Sequence, residues 1–181
     1  NLALGFAGTR KRFEIEKVLD RLVTKGRIVV KKAYADWTRF GEYRRELHEC
    51  SIELIEIPKR SQVGKNSADI RLCVDALDMC YSKAHLDTFC ILSGDSDFSP
   101  LVSKLRENGK HVIGVGMKAS TSNLLVDSCD EFIYYEDIER NVMAAQAAPV
   151  VAGPVHDKKV EALTLVMDTI AALKRDGRDI L

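Results

Sequence analysis

The sequence predicts an α/β sandwich built on a mainly parallel sheet, and two observations carry that reading. Strand-like and helix-like runs alternate along the chain over short connections, the pattern of parallel sheets flanked by helices. The apolar run 88–93 then breaks off into Gly94, Asp95, Ser96 and Asp97 before a helical pattern begins. Ligands of open α/β sheets gather beyond such carboxyl ends of strands.

The elements follow in order. Residues 13–25 place Phe13, Val18, Leu19, Leu22 and Val23 on one helical face, and Gly26 is the stop. Residues 27–37 are rich in β-formers, and the polar run TRFGEYRRELHE after them is helix-like. In SIELIEIP, Ile52, Leu54, Ile55 and Ile57 are interspersed with acids, and Pro58 closes the strand. A basic polar loop, KRSQVGKN, leads into the strongest helix, 68–82. There Ile70, Val74, Leu77 and Tyr81 recur at spacings of four, three and four. Strand 88–93, helix 99–108, strand KHVIGVGM, helix 121–128 and strand EFIYYEDI complete the series. Residues 1–8 lead into the first helix from a strand expected upstream.

Residues 143–155, MAAQAAPVVAGPV, are small and proline-bearing and read as a linker. Beyond it, Val160, Leu163, Met167, Ile170 and Leu173 stripe an amphipathic helix, the expected start of a second module over 156–181. Residues 1–142 form the main domain. With Asn1 at its start and a helical run near Leu181, the sequence reads as part of a longer chain.

At 181 residues the chain can bury one substantial core. No apolar run approaches the roughly 18 to 20 residues of a membrane span. Nothing resembles a secretory leader either, so a cytoplasmic protein without a membrane partner is expected. Five cysteines, at 50, 73, 80, 90 and 129, contain no CxxC pair; free thiols in a reducing compartment are the simplest account. The balanced net charge hides an asymmetry: residues 1–65 carry 15 Lys+Arg against 9 Asp+Glu, and residues 66–181 carry 12 against 18. A basic half joined to an acidic half suits a protein that attracts a polyanion and holds a cation elsewhere, although solvated helix faces give the same count.

Charge at the mouth of an apolar sheet is costly unless something compensates it. Asp95 and Asp97, turned toward one point where strand becomes loop, can grip a hard divalent cation, Mg²⁺ or Mn²⁺, which needs few protein oxygens because it keeps several waters. Asp69, in the first turn of the long helix, is the best third carboxylate; Asp75, six residues on, belongs to a flank or supports the ligands from behind. Each has a plainer explanation. Asp69 can complement the helix dipole beneath an Asn66 or Ser67 cap, and Asp97 can cap the helix that carries Pro100. Asp95 is the hardest to explain structurally.

The blocks KNSADIRLCVDAL, SGDSDFSPLVSKLRENGKHVIGVG and SNLLVDSCDEFIYYEDI, in that order, resemble an NYN domain, a LabA-like branch of the PIN-like nuclease superfamily. The resemblance covers residues 1 to about 140, and GDSDF after a strand is its most specific part. It implies a PIN-like three-layer α/β/α sandwich and a metal-dependent ribonuclease with an acidic pocket. Asp69, Asp95 and Asp97 match the family's acids, with Mg²⁺ or Mn²⁺ as the implied cofactor. Asn1 and Leu2 match the end of the family's D-x-x-N-L opening, whose Asp would lie three residues upstream of Asn1. The linker and trailing helix resemble proteins in which an NYN domain precedes an OST-HTH/LOTUS module.

A substrate path is expected beside the acids. Lys59, Arg60 and Lys65 lie in the loop before Asp69, Lys118, Ser120, Thr121 and Asn123 follow the next strand, and Ser93 adjoins the acidic turn. Single-stranded RNA is the expected partner, with Tyr34, Trp37 and Phe98 as candidate stacking rings; a homodimer is a candidate assembly. Two other readings stand beside this one. The first is an RNA-binding or regulatory scaffold with a degenerate pocket, the second a TOPRIM-type or phosphatase-like Mg²⁺ enzyme. The absence of GxGxxG speaks against a nicotinamide enzyme.

Overall fold

The structure, a computed structural model, describes residues 13–58 and 66–147. Helix α1 (Ile15–Val23) is followed by strand β1 (Lys32–Ala35), a 3₁₀ turn (Gly41–Tyr43), helix α2 (Arg44–Glu49) and strand β2 (Glu53–Glu56). Helix α3 (Ser67–Ser82) leads to strand β3 (Thr88–Leu92), a 3₁₀ turn (Ser96–Phe98) and helix α4 (Ser99–Glu107). Strand β4 (His111–Gly116), helix α5 (Asn123–Ser128), strand β5 (Glu131–Tyr134) and helix α6 (Tyr135–Ala147) follow.

Every strand pairing among the described residues is parallel: β1 with β2, and β3, β4 and β5 in that order. The alternation of strand and helix therefore builds the parallel α/β architecture that the sequence implies. Both faces of β3–β4 are covered. Ile113 and Val115 join one core with Ile15 and Val18 of α1, Trp37, Ile133 and Tyr135. Val112, Phe89 and Ile91 join the other, with Ala76 and Cys80 of α3, Leu101, Val102 and Leu105 of α4, and Leu125. Neighbouring residues of one strand point to opposite faces, so these two clusters define helix layers on either side of the sheet.

Three expectations change. The run EFIYYEDI is strand only to Tyr134, and helix α6 starts at Tyr135. That ring is fully buried, and its hydroxyl accepts a hydrogen bond from the Glu14 backbone N–H, 3.1 Å away. Residues 143–147, read as linker, continue α6, in keeping with the helix preference of Ala144, Ala145 and Ala147.

The third change concerns α3. Its stripe Ile70, Val74 and Tyr81 is 62 %, 56 % and 66 % exposed, while the small residues Ala76 and Cys80 face the core, flanked by Leu72, Cys73, Leu77 and Met79. Small side chains let the helix approach the sheet closely. Asp75 explains the helix's orientation from the other side: it accepts hydrogen bonds from the Tyr34 hydroxyl (3.1 Å) and Arg71 Nε (2.9 Å), with Lys32 Nζ 3.7 Å away. This network ties α3 to β1, so Asp75 has a structural role. Among the described residues no helix is long and apolar enough to cross a membrane. The chain divides into two compact units, Asn1–Met143 and Ala144–Leu181; the helix expected over 156–181 lies outside the described residues.

Candidate functional site

Strand β3 delivers Ser93–Asp97 to the carboxyl end of the sheet. Ser93 is buried, and its Oγ accepts the Asp95 backbone N–H at 3.1 Å. Asp95 is the residue that caps the following 3₁₀ turn: its Oδ1 accepts the Asp97 N–H at 3.0 Å. The helix that carries Pro100 has Phe98 at its N-cap and no side-chain capping bond, so Asp97 does not cap it, and the second Asp95 carboxylate oxygen makes no hydrogen bond among the described residues. Asp97 is exposed, and its carboxylate makes no hydrogen bond or ion pair among the described residues. Ser99, two residues on, is buried, and its Oγ has no hydrogen-bond partner among the described residues; nothing in the sequence pattern marks it.

Asp69 enters from α3, and its electrostatics show what it faces. Burial first, then the charges of Asp95 and Asp97, push its carboxyl above the usual range. A carboxylate whose main role was to complement a helix dipole would move the other way, and Asn66 at the N-cap makes no side-chain capping bond. The charges of Asp95 and Asp97 thus reach Asp69 from a distant part of the chain. The hard oxygens of these acids fit Mg²⁺ or Mn²⁺, and repulsion of this kind is what a cation relieves. Among the described residues no three His, Cys, Asp or Glu side chains stand close enough to hold an ion unaided. Mg²⁺ usually keeps part of its water shell and so needs few protein oxygens.

The loop after β4 is fastened to the acidic turn. Ser122 N–H donates to the Gly94 carbonyl at 2.9 Å, and Thr121 Oγ1 donates to the Met117 carbonyl at 2.7 Å. A Cβ on Gly94 would lie 2.6 Å from the Ser120 carbonyl oxygen and 2.9 Å from Thr121 Oγ1. Parallel pairing of Leu92 with Val115 brings these two segments together. Ser93, Ser120 and Thr121 consequently lie with the acids.

Lys118 and Asn123 sit differently. Lys118 Nζ pairs with Asp137 Oδ1 at 2.7 Å and lies over the Tyr134 ring, while its N–H donates to Glu136. The hydrogen bond from Lys118 Nζ holds the Asp137 carboxyl below its usual range. Asn123 opens α5, where Ser122 provides the cap. Asn1, Lys59, Arg60 and Lys65 lie outside the described residues.

The stacking rings are corrected. Trp37 is buried, its Nε1 donating to the Ile55 carbonyl at 3.1 Å, and Phe98 is only 2 % exposed in the core beneath α4. Tyr34 is half-buried and bound to Asp75. Burial pushes the Cys90 thiol up to about 12 and that of Cys129 to about 11, away from the thiolate form.

The family model of the NYN domain matches residues 2–139. An uncharacterized protein of Methanocaldococcus jannaschii is 29% identical over 127 residues, covering 68% of this chain and 49% of that protein. The chain thus spans about half the length of this curated relative. A crystal structure of a protein of unknown function from Vibrio parahaemolyticus superposes with a TM-score of 0.64 at 23% identity. The match covers 76% of this chain and 87% of that one, a likeness of fold.

Proposed function

This chain belongs to the NYN domain family, and from that premise we propose that it is a metal-dependent endoribonuclease acting on single-stranded RNA. The family places it among PIN-like nucleases, which generally depend on divalent metal and act on RNA. The observation that carries the finer reading is the raised pKa of Asp69, caused by burial and by Asp95 and Asp97. Acids crowded at a sheet end, with one pKa driven upward, are a recurrent mark of a working site.

In this reading Asp69, Asp95 and Asp97 hold Mg²⁺ or Mn²⁺, which would supply an activated water and neutralise charge on the scissile phosphate. The chain's own groups do the rest. Asp95, pinned by its bonds to Ser93 and Asp97, keeps one oxygen aimed by a rigid turn. Asp97 contributes a carboxylate with no competing partner among the described residues. Asp69 binds its proton more tightly than an ordinary carboxyl does, because burial and the charges of Asp95 and Asp97 disfavour its ionised form. Ser120, Thr121 and Asn123 line the approach, and Ser93 supports the turn. Lys59, Arg60, Lys65 and Asn1 are assigned to the RNA backbone, as is Lys118 if it exchanges Asp137 for phosphate.

The deciding experiment incubates the full-length protein with labelled single-stranded RNA or DNA in Mn²⁺, Mg²⁺ or EDTA. Cleavage of RNA with metal and none in EDTA is expected; intact RNA under every condition overturns the proposal. Millimolar Mn²⁺ or Mg²⁺ should also raise the melting temperature, because an ion that binds only the folded state stabilises it. RNA affinity should fall steeply between 50 and 200 mM salt, as phosphate contacts made by lysine and arginine require. One observation favours the second reading, a non-hydrolytic RNA-binding scaffold: among the described residues the acids do not close an ion site by themselves. Salt-sensitive RNA binding with no cleavage in any metal identifies it.

A further inference from the structure

Helix α3 presents an unusual outer face. Ile70, Val74 and Tyr81 are 62 %, 56 % and 66 % exposed, and Leu77 between them, half-buried at the edge of the chain's own core, completes spacings of four, three and four residues. That is the seam spacing of a two-helix coiled coil, in which alternating steps of three and four keep apolar side chains on one line. A run of three large apolar residues on one solvent-facing line is the kind of surface that marks an interaction site.

The flank of this seam carries the information about its partner. Arg71 and Asp78 are seven residues apart, two helical turns, and so stand on the same side of the seam. Both are exposed. Arg71 gives its Nε to Asp75, while Asp78 has no hydrogen bond or ion pair among the described residues. The same flank bounds an open groove lined by Ser67, Ile70, Arg71, Val74, Asp75 and Asp78. The opposite flank, Cys73 and Cys80, packs into the chain's own core.

We propose that this face of α3 docks a second copy of the chain, α3 against α3 in antiparallel orientation. A two-fold axis crossing the helix midway between Arg71 and Asp78, beside Val74, maps each flank onto the same flank of the partner. It sets Arg71 opposite the partner's Asp78 and Asp78 opposite the partner's Arg71. One basic and one acidic residue at mirror positions make the flank complementary to itself, which is the requirement of an isologous interface. The ends complement each other too: Tyr81 falls toward the small residues at the partner's helix start. A formal net charge of zero opposes such association very little. Asp69 projects about 100° around the helix from Ile70, so the acidic cluster stays open in both copies.

The test is sedimentation equilibrium on the full-length chain from about 1 to 100 µM, with circular dichroism on every variant. The wild type is expected to dimerise reversibly, and Val74→Ser to raise the dissociation constant tenfold or more with no loss of helix signal. Arg71→Glu and Asp78→Arg should each be monomeric alone, because like charges then meet across the axis. Mixed together they should form a heterodimer, in which both crossings are opposite in sign. A wild type that stays monomeric at 100 µM overturns the proposal. So does a dimer that Val74→Ser and both charge reversals leave unchanged, since it would use another face.

Discussion

Asp95→Asn is expected to abolish metal-dependent cleavage, with kcat/KM falling by about 10²-fold or more, equivalent to roughly 3 kcal/mol of transition-state stabilisation. The fold should survive. Asn caps a helical turn as well as Asp does, so its side-chain oxygen still accepts the Asp97 N–H that Asp95 accepts at 3.0 Å. Melting temperatures of variant and wild type in EDTA should therefore be close, and RNA cleavage with Mn²⁺ should separate them. Cleavage by Asp95→Asn within a few-fold of wild type would remove this residue from the site.

The same substitution has a second signature, in pH. The Asp69 carboxyl is raised in the folded protein by burial and by the Asp95 and Asp97 charges. In the unfolded chain it titrates near the ordinary value of about 3.9. The folded state therefore binds the proton more tightly, and stability declines as pH rises from about 4 through the raised pKa. At neutral pH the whole penalty is present. Removing the Asp95 charge takes away part of its cause, so metal-free Asp95→Asn should lose less stability between pH 4 and 7 than wild type. Asp69→Asn should flatten that decline further and melt slightly higher than wild type at pH 7, while losing cleavage. Parallel pH–stability curves for all three proteins would contradict the coupling of these acids.

Gly94→Ala is expected to have the largest structural effect at the site. The added Cβ meets the Ser120 carbonyl oxygen at 2.6 Å and the Thr121 Cα at 3.0 Å. These are backbone atoms, so the 117–122 loop must move and the Ser122-to-Gly94 hydrogen bond of 2.9 Å is lost or lengthened. Overpacking of this kind costs about 1–3 kcal/mol, or roughly 2–12 °C in Tm at this chain length. Cleavage should fall further than stability requires, because the displaced residue adjoins Asp95. Gly26→Ala is the control: nothing lies within 4 Å of its Cβ position, and it should match wild type in both assays.

The acidic turn was legible because it is local. Ile91 and Leu92 leading into Gly94-Asp95-Ser96-Asp97 require that a buried strand surface among charges, and the structure keeps that arrangement. The orientation of aromatic and apolar residues was less legible. Trp37 and Phe98 could have faced a substrate, but fill the core. The regular stripe Ile70–Val74–Leu77–Tyr81 looks like a buried face, yet the helix turns Ala76 and Cys80 inward. Periodicity says that a helix has two faces and leaves open which one meets the sheet.

The sequence by itself determined the alternation of strand and helix, the carboxylates after β3 and the family to which they point. Those features depend on neighbours a few residues apart, through turn chemistry and the two side-chain periods of 2.0 and 3.6 residues. The tertiary structure alone decided that Asp69 shares its electrostatic surroundings with Asp95 and Asp97, that Ser120 and Thr121 close over Gly94, and that the apolar seam of α3 faces outward. The physical reason is that parallel strand register and close helix-to-sheet approach join residues far apart in the chain, and no local pattern records which of them meet.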